Sequence, residues 1–285
     1  MNILYCGDQG ISKGVLVSIL SLLKYNKKPL EIFIATIKYD KVKPFNPKTA
    51  EFLDALVKGK IRGVSAEFTK NAGPQNFVKL IDATDVFVNN LPSKNMGSYF
   101  TPCSMLRLYM DKMPELENLD RVLYLDYDVV CRGDISEFYE TDLDGIEAAG
   151  VLDIYGRRWY RYHGLFKQDY MNSGVMLFNL KECHKTKMLE NAVRLCGERW
   201  MMLADQAALN KSIEKRKLMP RKYNEQEERP RKDTVLHHFS NNFKFWPYFR
   251  VQKVKPFEVD KIHEVLKITE YDDILEEYTK LKEKL

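Results

Sequence analysis

Short apolar runs alternate with helical stretches through the first part of the chain, and this alternation constrains the fold more than any other feature. Asn2–Cys6 (NILYC) has strand length and ends in Gly7-Asp8-Gln9-Gly10. Ser12 then stands as a helix cap ahead of an apolar stripe formed by Val15, Leu16, Ile19, Leu22 and Leu23. Glu31–Ile37 (EIFIATI) is a β-branched run that reads as a second strand. Asn46-Pro47, a cap followed by proline in the first turn, opens a helix that stops near Gly59. Ser65–Thr69 reads as a third strand. Strand, helix, strand, helix, strand predicts an α/β fold with a mostly parallel sheet covered on both faces. Ligands of such sheets bind at the carboxyl ends of the strands, and Asp8 stands at the end of the first.

Farther along, Thr101-Pro102 opens a helix carrying Leu106, Arg107 and Tyr109, and Arg121–Leu125 (RVLYL) is a buried strand. Glu147–Leu152 and Val175–Phe178 read as further core strands, with helices over Lys185–Glu198 and Ala204–Ser212. Arg221–Asp233 (RKYNEQEERPRKD) is almost wholly polar and reads as an exposed loop; Val235–Phe239 is a short strand. From Glu258 to the end the pattern is helical, with charges of both signs.

Composition narrows the function classes. The 285 residues are 45% hydrophobic and 30% charged, the proportions of a soluble globular chain. No apolar run approaches the roughly 18 residues that span a bilayer. The start, Met1-Asn2-Ile3-Leu4-Tyr5, has no basic segment followed by a signal-like core. Five scattered cysteines without a C-x-x-C pair argue against a disulfide framework and against a thiolate zinc site. A net charge of +5 over this length, with acids and bases evenly mixed, points away from a nucleic-acid partner. The expected location is cytoplasmic.

Asp126-Tyr127-Asp128 follows the apolar run Arg121–Leu125 directly. In an extended strand residues i and i+2 point the same way, so both carboxylates can converge on one hard cation; turn and capping carboxylates are the competing reading. Asp142-Leu143-Asp144 repeats the triplet without a buried strand before it and serves as an internal decoy. A charged pair at the end of a buried strand needs a cation or hydrogen-bonding partners. Haloacid-dehalogenase-like phosphatases also place D-x-D after a buried strand, with the first aspartate as nucleophile. Their motif lies on the first strand of the domain, whereas a long α/β stretch precedes Asp126 here. Their later paired aspartates follow an apolar strand, whereas Asp272-Asp273 lies in a charged helical tail.

Six landmarks then occur in a fixed order: the strand ending in Asp8; Leu106-Arg107-Leu108; Arg121–Val130 (RVLYLDYDVV); Met171-Asn172-Ser173-Gly174-Val175; Leu203-Ala204-Asp205-Gln206; and His238 followed by Lys244 and Trp246. In these the chain resembles glycosyltransferase family 8, the bacterial lipopolysaccharide galactosyl- and glucosyltransferases and the glycogenin relatives, from Ile3 to about Trp246. The resemblance implies a GT-A fold over residues 1–250, a Rossmann-like nucleotide-binding half fused to an acceptor-binding half. A helical extension over 251–285 follows. It also implies a UDP-glucose or UDP-galactose donor, a Mn2+ or Mg2+ ion, retention of anomeric configuration, and a glycan, glycolipid or glycoprotein acceptor.

Carried over by position, Asp126, Asp128 and His238 would hold the ion. Two carboxylates and one imidazole suit manganese better than calcium and leave room for diphosphate oxygens. His237, the neighbour of His238, would face the other way along a strand. Asp8, Cys6, Asn241 and Lys244 would meet the nucleotide and its diphosphate, Lys244 as a movable point charge on a closing loop. Arg107, Asn172, Ser173 and Asp205 would surround the donor sugar, with Asp205 and Gln206 nearest the reacting carbon. Gln206 is a poor nucleophile, which favours front-face transfer with its carbonyl oxygen beside the anomeric carbon.

The chain departs from the family pattern at Ile11, where an aromatic commonly stacks on uracil, and at Asn241, where glycine is common. Tyr155, Trp159, Tyr160 and Tyr162 stand in an aromatic-rich stretch suited to sugar stacking or to packing. Trp246, Tyr248, Arg250, Lys253 and Lys255 suggest peripheral contact with anionic lipid at the inner membrane face. A non-catalytic nucleotide-sugar-binding relative is the main alternative.

Overall fold

The structure, a computed structural model, describes residues 1–96, 102–155, 169–244 and 250–285. In chain order its strands are β1 (Asn2–Cys6), β2 (Glu31–Thr36), β3 (Phe77–Asp82), β4 (Arg121–Leu125), β5 (Val129–Cys131), β6 (Ala148–Leu152), β7 (Met171–Asn179), β8 (Arg216–Leu218), β9 (Leu236–His238), β10 (Asn242–Lys244) and β11 (Arg250–Gln252). Seven of them form one sheet in the order β3-β2-β1-β4-β7-β6-β8. β3, β2, β1 and β4 run parallel, β8 is parallel to β6, and β7 runs antiparallel to both β4 and β6. This is the mostly parallel α/β sheet that the strand–helix alternation predicts. β5 pairs with β9, and β10 with β11, in two antiparallel ribbons.

Period-two alternation in the central strands builds a core on each face of the sheet. Ile3, Tyr5, Leu123 and Leu125 join the helix Ser12–Tyr25 on one side. Leu4, Cys6, Val122 and Tyr124 join Pro102–Lys112 and the helix Met188–Glu198 on the other. Because both faces are covered, β1 and β4 read as unbroken apolar runs, and the sequence locates both to the residue.

Several elements differ from the sequence reading. Ser65–Thr69 is no strand: Ala66–Thr69 is one helical turn, and the third parallel strand is Phe77–Asp82. β3 is an edge strand with Lys79 and Asp82 exposed, so its apolar signal is diluted. Pro102–Lys112 is a 3-10 helix, and Thr101 lies outside the described residues. The stretch read as one helix over Lys185–Glu198 is two, Leu180–Thr186 and Met188–Glu198, broken where Lys187 takes a left-handed backbone (φ 56°). Arg221–Asp233 is not simply an exposed loop. Tyr223, Asn224, Glu225 and Gln226 are buried, with the Glu225 carboxylate paired to Arg221 and Arg231. The segment lies along β9, where Glu225 N–H donates to Leu236 and Glu225 C=O accepts from His238 N–H. Internal ion pairing hides that burial from composition.

The C-terminal stretch is also interrupted. A short turn of helix over Ile262–Leu266 ends at left-handed Lys267 (φ 55°), before the helix Asp272–Leu281. Its apolar face, Tyr271, Ile274, Leu275, Tyr278 and Leu281, belongs to the same core cluster as Val15, Ile19 and Leu23 of the first helix. Among the described residues no helix is long and apolar enough to cross a membrane.

Candidate active site

β4 ends at Leu125, and the carboxylates that follow it stand in a turn rather than on an extended strand. Asp126 N–H donates to Gly174 C=O (2.8 Å), which ties the turn to β7; Val129 N–H then reaches back to Asp126 C=O and starts β5. The two carboxylates still converge, brought together by the turn and by the ribbon β5–β9, in which Val129 lies opposite His238.

His238 is 5% exposed, and its Nε2 lies 3.4 Å from Asp128 Oδ1 and 3.6 Å from Asp126 Oδ2. One ligand atom from each of the three residues falls within 4.8 Å of the others. These separations are too long for good hydrogen bonds. They suit donors around a common cation, since ligands about 2.1 Å from an octahedral ion stand about 3 Å apart. Gly174 makes the approach possible. A Cβ there would lie 2.2 Å from His238 Cε1 and 2.7 Å from Asp126 Oδ2. Two carboxylates, an imidazole and a glycine that admits them fit a divalent ion of the manganese or magnesium type. His237 turns the other way, as alternation predicts, its ring nitrogens meeting Tyr271 Oη (2.6 Å) and Glu227 C=O (2.8 Å).

The remaining oxygens of the acid pair are held from behind. Asp126 Oδ1 accepts from Arg107 Nη2 (2.9 Å) and Tyr124 Oη (2.6 Å). Arg107 is buried, with its guanidinium over the Tyr124 ring at 4.1 Å from the centroid. It also donates through Nε to Ser104 C=O (2.9 Å) and through Nη1 to Ser173 C=O (2.8 Å), and its Nε lies 3.2 Å from Asp205 Oδ2. Burial pushes the Asp205 carboxyl up, against the pull of Arg107. Asp128 Oδ2 is held by the Lys255 ammonium. Burial would raise Asp128, yet Lys255 and then His238 hold it well below the usual carboxylate range.

Asp205 and Gln206 lie in the first turn of the helix Ala204–Ser212, as its sequence pattern predicts. Gln206 Oε1 accepts from Ser173 N–H (2.9 Å) and its Nε2 donates to Asp153 Oδ2 (3.3 Å), so the partners fix the orientation of the amide. The carbonyl oxygen expected beside a reacting carbon is thus engaged by the β7 backbone. Asn172 donates to the same Asp153 oxygen (2.9 Å) and accepts from Asn224 Nδ2 (3.0 Å) and Gly174 N–H (3.0 Å). Arg107, Asp126, Asp128, Asn172, Ser173, Asp205, Gln206 and His238 therefore form one connected cluster.

Cys6 and Asp8 lie beside it at the carboxyl end of β1. Burial pushes the Cys6 thiol well up, and Arg107 and Asp126 are among its charged neighbours. Asp8 caps the turn Gln9–Ile11 by accepting from Gly10 N–H (2.8 Å). Ile11 is buried against Gly7, within the core. Asn241 is half-buried just before β10, and Lys244 is the last residue of that strand. Tyr155 donates to Asn242 Oδ1 (3.1 Å). Trp159, Tyr160, Tyr162, Trp246 and Tyr248 lie outside the described residues.

Sequence reasoning missed Tyr124, Asp153 and Lys255. Tyr124 carried a signal, a hydroxyl two residues before Asp126 among the aliphatic residues Val122, Leu123 and Leu125. Lys255, expected at a lipid surface, instead faces Asp128, and Asp128 keeps it charged against burial. The later acid pair weighed for the phosphatase alternative is engaged elsewhere: Asp273 pairs with Lys24 and Asp272 with His263.

Residues 2–249 match the family described as glycosyl transferase family 8. A lipopolysaccharide 1,2-glucosyltransferase of Escherichia coli is 28% identical over 232 residues, covering 78% of this chain and 62% of that protein. The chain thus spans under two thirds of that relative's length. Among solved structures, the galactosyltransferase LgtC in complex with donor and acceptor sugar analogs superposes with a TM-score of 0.67 at 15% identity, covering both chains fully. The bifunctional glycosyltransferase WbbM matches with a TM-score of 0.69 at 15% identity, over 98% of this chain and 49% of that one. At those identities the two structures speak for a shared GT-A fold.

Proposed function

The chain belongs to glycosyltransferase family 8, and from that premise we propose that it is a retaining, metal-dependent transferase. It would move glucose or galactose from a UDP-sugar to a glycan, glycolipid or glycoprotein. The observation that carries this reading is the convergence of Asp126, Asp128 and His238 on one point, directly beside Arg107 and Asp205. The name of the E. coli relative favours glucose and a lipopolysaccharide-like acceptor. We assign the transferase to residues 1–250 and a helical extension to 251–285. A peripheral place at the inner membrane face suits a lipid-linked acceptor.

Asp126, Asp128 and His238 would hold Mn2+ or Mg2+, which when bound neutralises charge on the departing UDP. The chain's own residues would supply the rest. Arg107, fixed by Asp126, Asp205 and the Ser173 carbonyl, presents a rigid fork to sugar hydroxyls. Asn172, Ser173 and Asp205 complete that wall. Asp8, Cys6, Asn241 and Lys244 would meet the nucleotide and its diphosphate, Lys244 adding positive charge beside the departing UDP. Gln206 is a neutral amide tied at both ends, to Ser173 and to Asp153. That supports front-face transfer over a covalent intermediate, with Gln206 and Asp205 beside the reacting carbon. Mass spectrometry of the protein quenched during turnover is expected to find no glycosyl adduct on Gln206 or Asp205. An adduct on either would refute the front-face route.

The test is thermal stability with UDP, with and without Mn2+, alongside Asp128→Asn. A ligand bound only by the folded state stabilises by about 3 kcal/mol at a hundredfold over its Kd. UDP is expected to raise the melting temperature by several degrees only when Mn2+ is present, and Asp128→Asn to lose that gain. A native protein indifferent to both would favour a non-catalytic relative. In that case UDP-sugar would also not be hydrolysed slowly without acceptor, as an active transferase is expected to do.

A further inference from the structure

Five of the eight large apolar side chains exposed among the described residues lie on two neighbouring segments: Val88 and Leu91 on one, and Trp200, Met202 and Leu203 on the other. Apolar exposure gathered in this way marks a contact surface, whereas single exposed side chains mean little. The two segments are fastened together. Asn95, fully buried, donates to Cys196 C=O (2.6 Å) and Arg199 C=O (2.7 Å) and accepts from Met201 N–H (2.9 Å). Ser93 Oγ donates to Gly197 C=O (3.3 Å). Asn95 thus grips the backbone on both sides of Trp200, whose side chain is nonetheless 69% exposed. A ligand that covers an indole held this way has little backbone left to order.

A groove of about 400 Å³, a volume typical of ligand sites, runs beside these segments. It follows the helix Met188–Glu198 from Glu190 to Glu198, about 12 Å at the helical rise per residue. Beyond Glu198 the chain continues through Trp200 to Asp205 and Gln206, so the groove and the candidate active site are joined by one short stretch of chain. Lys112 and Arg194, Glu190 and Glu198 stand along it, two bases and two acids without net charge. Arg194 donates to both Glu198 oxygens (3.0 and 3.2 Å), and Lys112 to Asn90 Oδ1 (3.2 Å).

We propose that this groove, with Trp200 at its end, is a subsite for a neutral glycan and holds the acceptor chain beyond the sugar that reacts. The inference rests on the reading of the chain as a transferase with a glycan acceptor. Sugar hydroxyls both donate and accept, and carboxylates, amides and a guanidinium supply the complementary groups. The C–H faces of the rings pack on an indole, which offers a broad apolar surface with a polar edge. A polyanion or an anionic membrane calls for an excess of bases that the lining lacks. An amphipathic helix calls for an apolar floor in place of four charged side chains.

The experiment labels the full chain with 5-fluorotryptophan, whose fluorine signals belong to Trp159, Trp200 and Trp246, and identifies that of Trp200 by its loss in Trp200→Phe. Maltoheptaose and the lipid-free core oligosaccharide of Escherichia coli lipopolysaccharide are the probes, with glucose as the control. The Trp200 signal is expected to shift with at least one oligosaccharide and not with glucose. By calorimetry, Trp200→Ala is expected to weaken that binding by about tenfold, as loss of an aromatic anchor does, and Arg194→Ala by less. Both side chains are exposed, so both variants should keep the native melting response to UDP with Mn2+. A Trp200 signal indifferent to both oligosaccharides, or an affinity unchanged in both variants, overturns the inference. A signal that moves with protein concentration instead assigns the patch to contact between copies of the chain and overturns it too. Glycan binding at Trp200 in a native protein that ignores UDP with Mn2+ removes the transferase reading and the acceptor role with it, and leaves only a glycan-binding groove.

Discussion

Asp126→Asn is expected to lower sugar transfer by about 10²–10³-fold and to abolish whatever stabilisation UDP gains from Mn2+. The two oxygens of Asp126 serve different partners. Oδ2 faces His238, and Oδ1 takes the Arg107 and Tyr124 hydrogen bonds. An asparagine can keep an acceptor for those two donors, but it brings no charge to a cation and none to Arg107. With Arg107 at 5% exposure, Asp205 at 3.2 Å is the one other carboxylate paired with the guanidinium among the described residues. Breaking a buried pair on one side costs about 3–5 kcal/mol, so the variant should also melt at a lower temperature. Asp142→Asn is the matched control. Asp142 belongs to the other D-x-D triplet, and its exposed side chain accepts from Asp144 N–H (2.9 Å) in a turn. Its loss should cost at most about 1 kcal/mol and leave the Mn2+ response untouched. An Asp126→Asn protein still stabilised by UDP with Mn2+ would remove Asp126 from the ligand set.

The difference between the two triplets was legible in the sequence, because burial of the preceding strand is written in four consecutive residues, Val122–Leu125. β4 runs through the middle of the sheet, and a strand covered on both faces shows itself as an uninterrupted apolar run. β3 escaped because an edge strand alternates weakly, and SAEFT looked as extended as FVKLID. The two carboxylates do converge, but not for the reason the sequence suggested: Asp126 and Asp128 come together through a turn pinned to Gly174 rather than by strand alternation. The place of Gln206 in the first turn of its helix was legible in the pattern, but its partners were not. Ser173 and Asp153 lie 33 and 53 residues away, and no local periodicity reports a contact at that range. Lys255, 127 residues from Asp128, is the extreme case. From its neighbours alone it is one more base in a basic stretch. Glu225 shows the same limit, for its charge is cancelled by Arg221 and Arg231 only after folding.

The extension after β11 brings Lys255 to the acid pair, and its helix bears on the core itself. Ending the chain at residue 250 is expected to leave a protein that does not melt cooperatively. Ile262, Leu266, Ile268, Tyr271, Ile274, Leu275, Tyr278 and Leu281 are each at most 6% exposed, in one cluster with the helix Ser12–Tyr25. At about 1.5–3 kcal/mol for each buried side chain, their removal outweighs the roughly 5–15 kcal/mol by which a domain is stable. The loss would also uncover the far side of the β5–β9 ribbon. His237 gives one ring nitrogen to Tyr271 Oη, its ring stacks on Tyr271 with centroids 5.7 Å apart, and its neighbour along β9 is His238. Tyr271→Phe separates the two contributions. It keeps the ring and removes the hydroxyl, which should lower stability by about 1 kcal/mol while the fold and the Mn2+ response persist. Should residues 1–250 instead melt cooperatively and bind UDP with Mn2+ as the full chain does, the extension would be an independent module, and the position of His238 would be set by β5 and Glu225 alone.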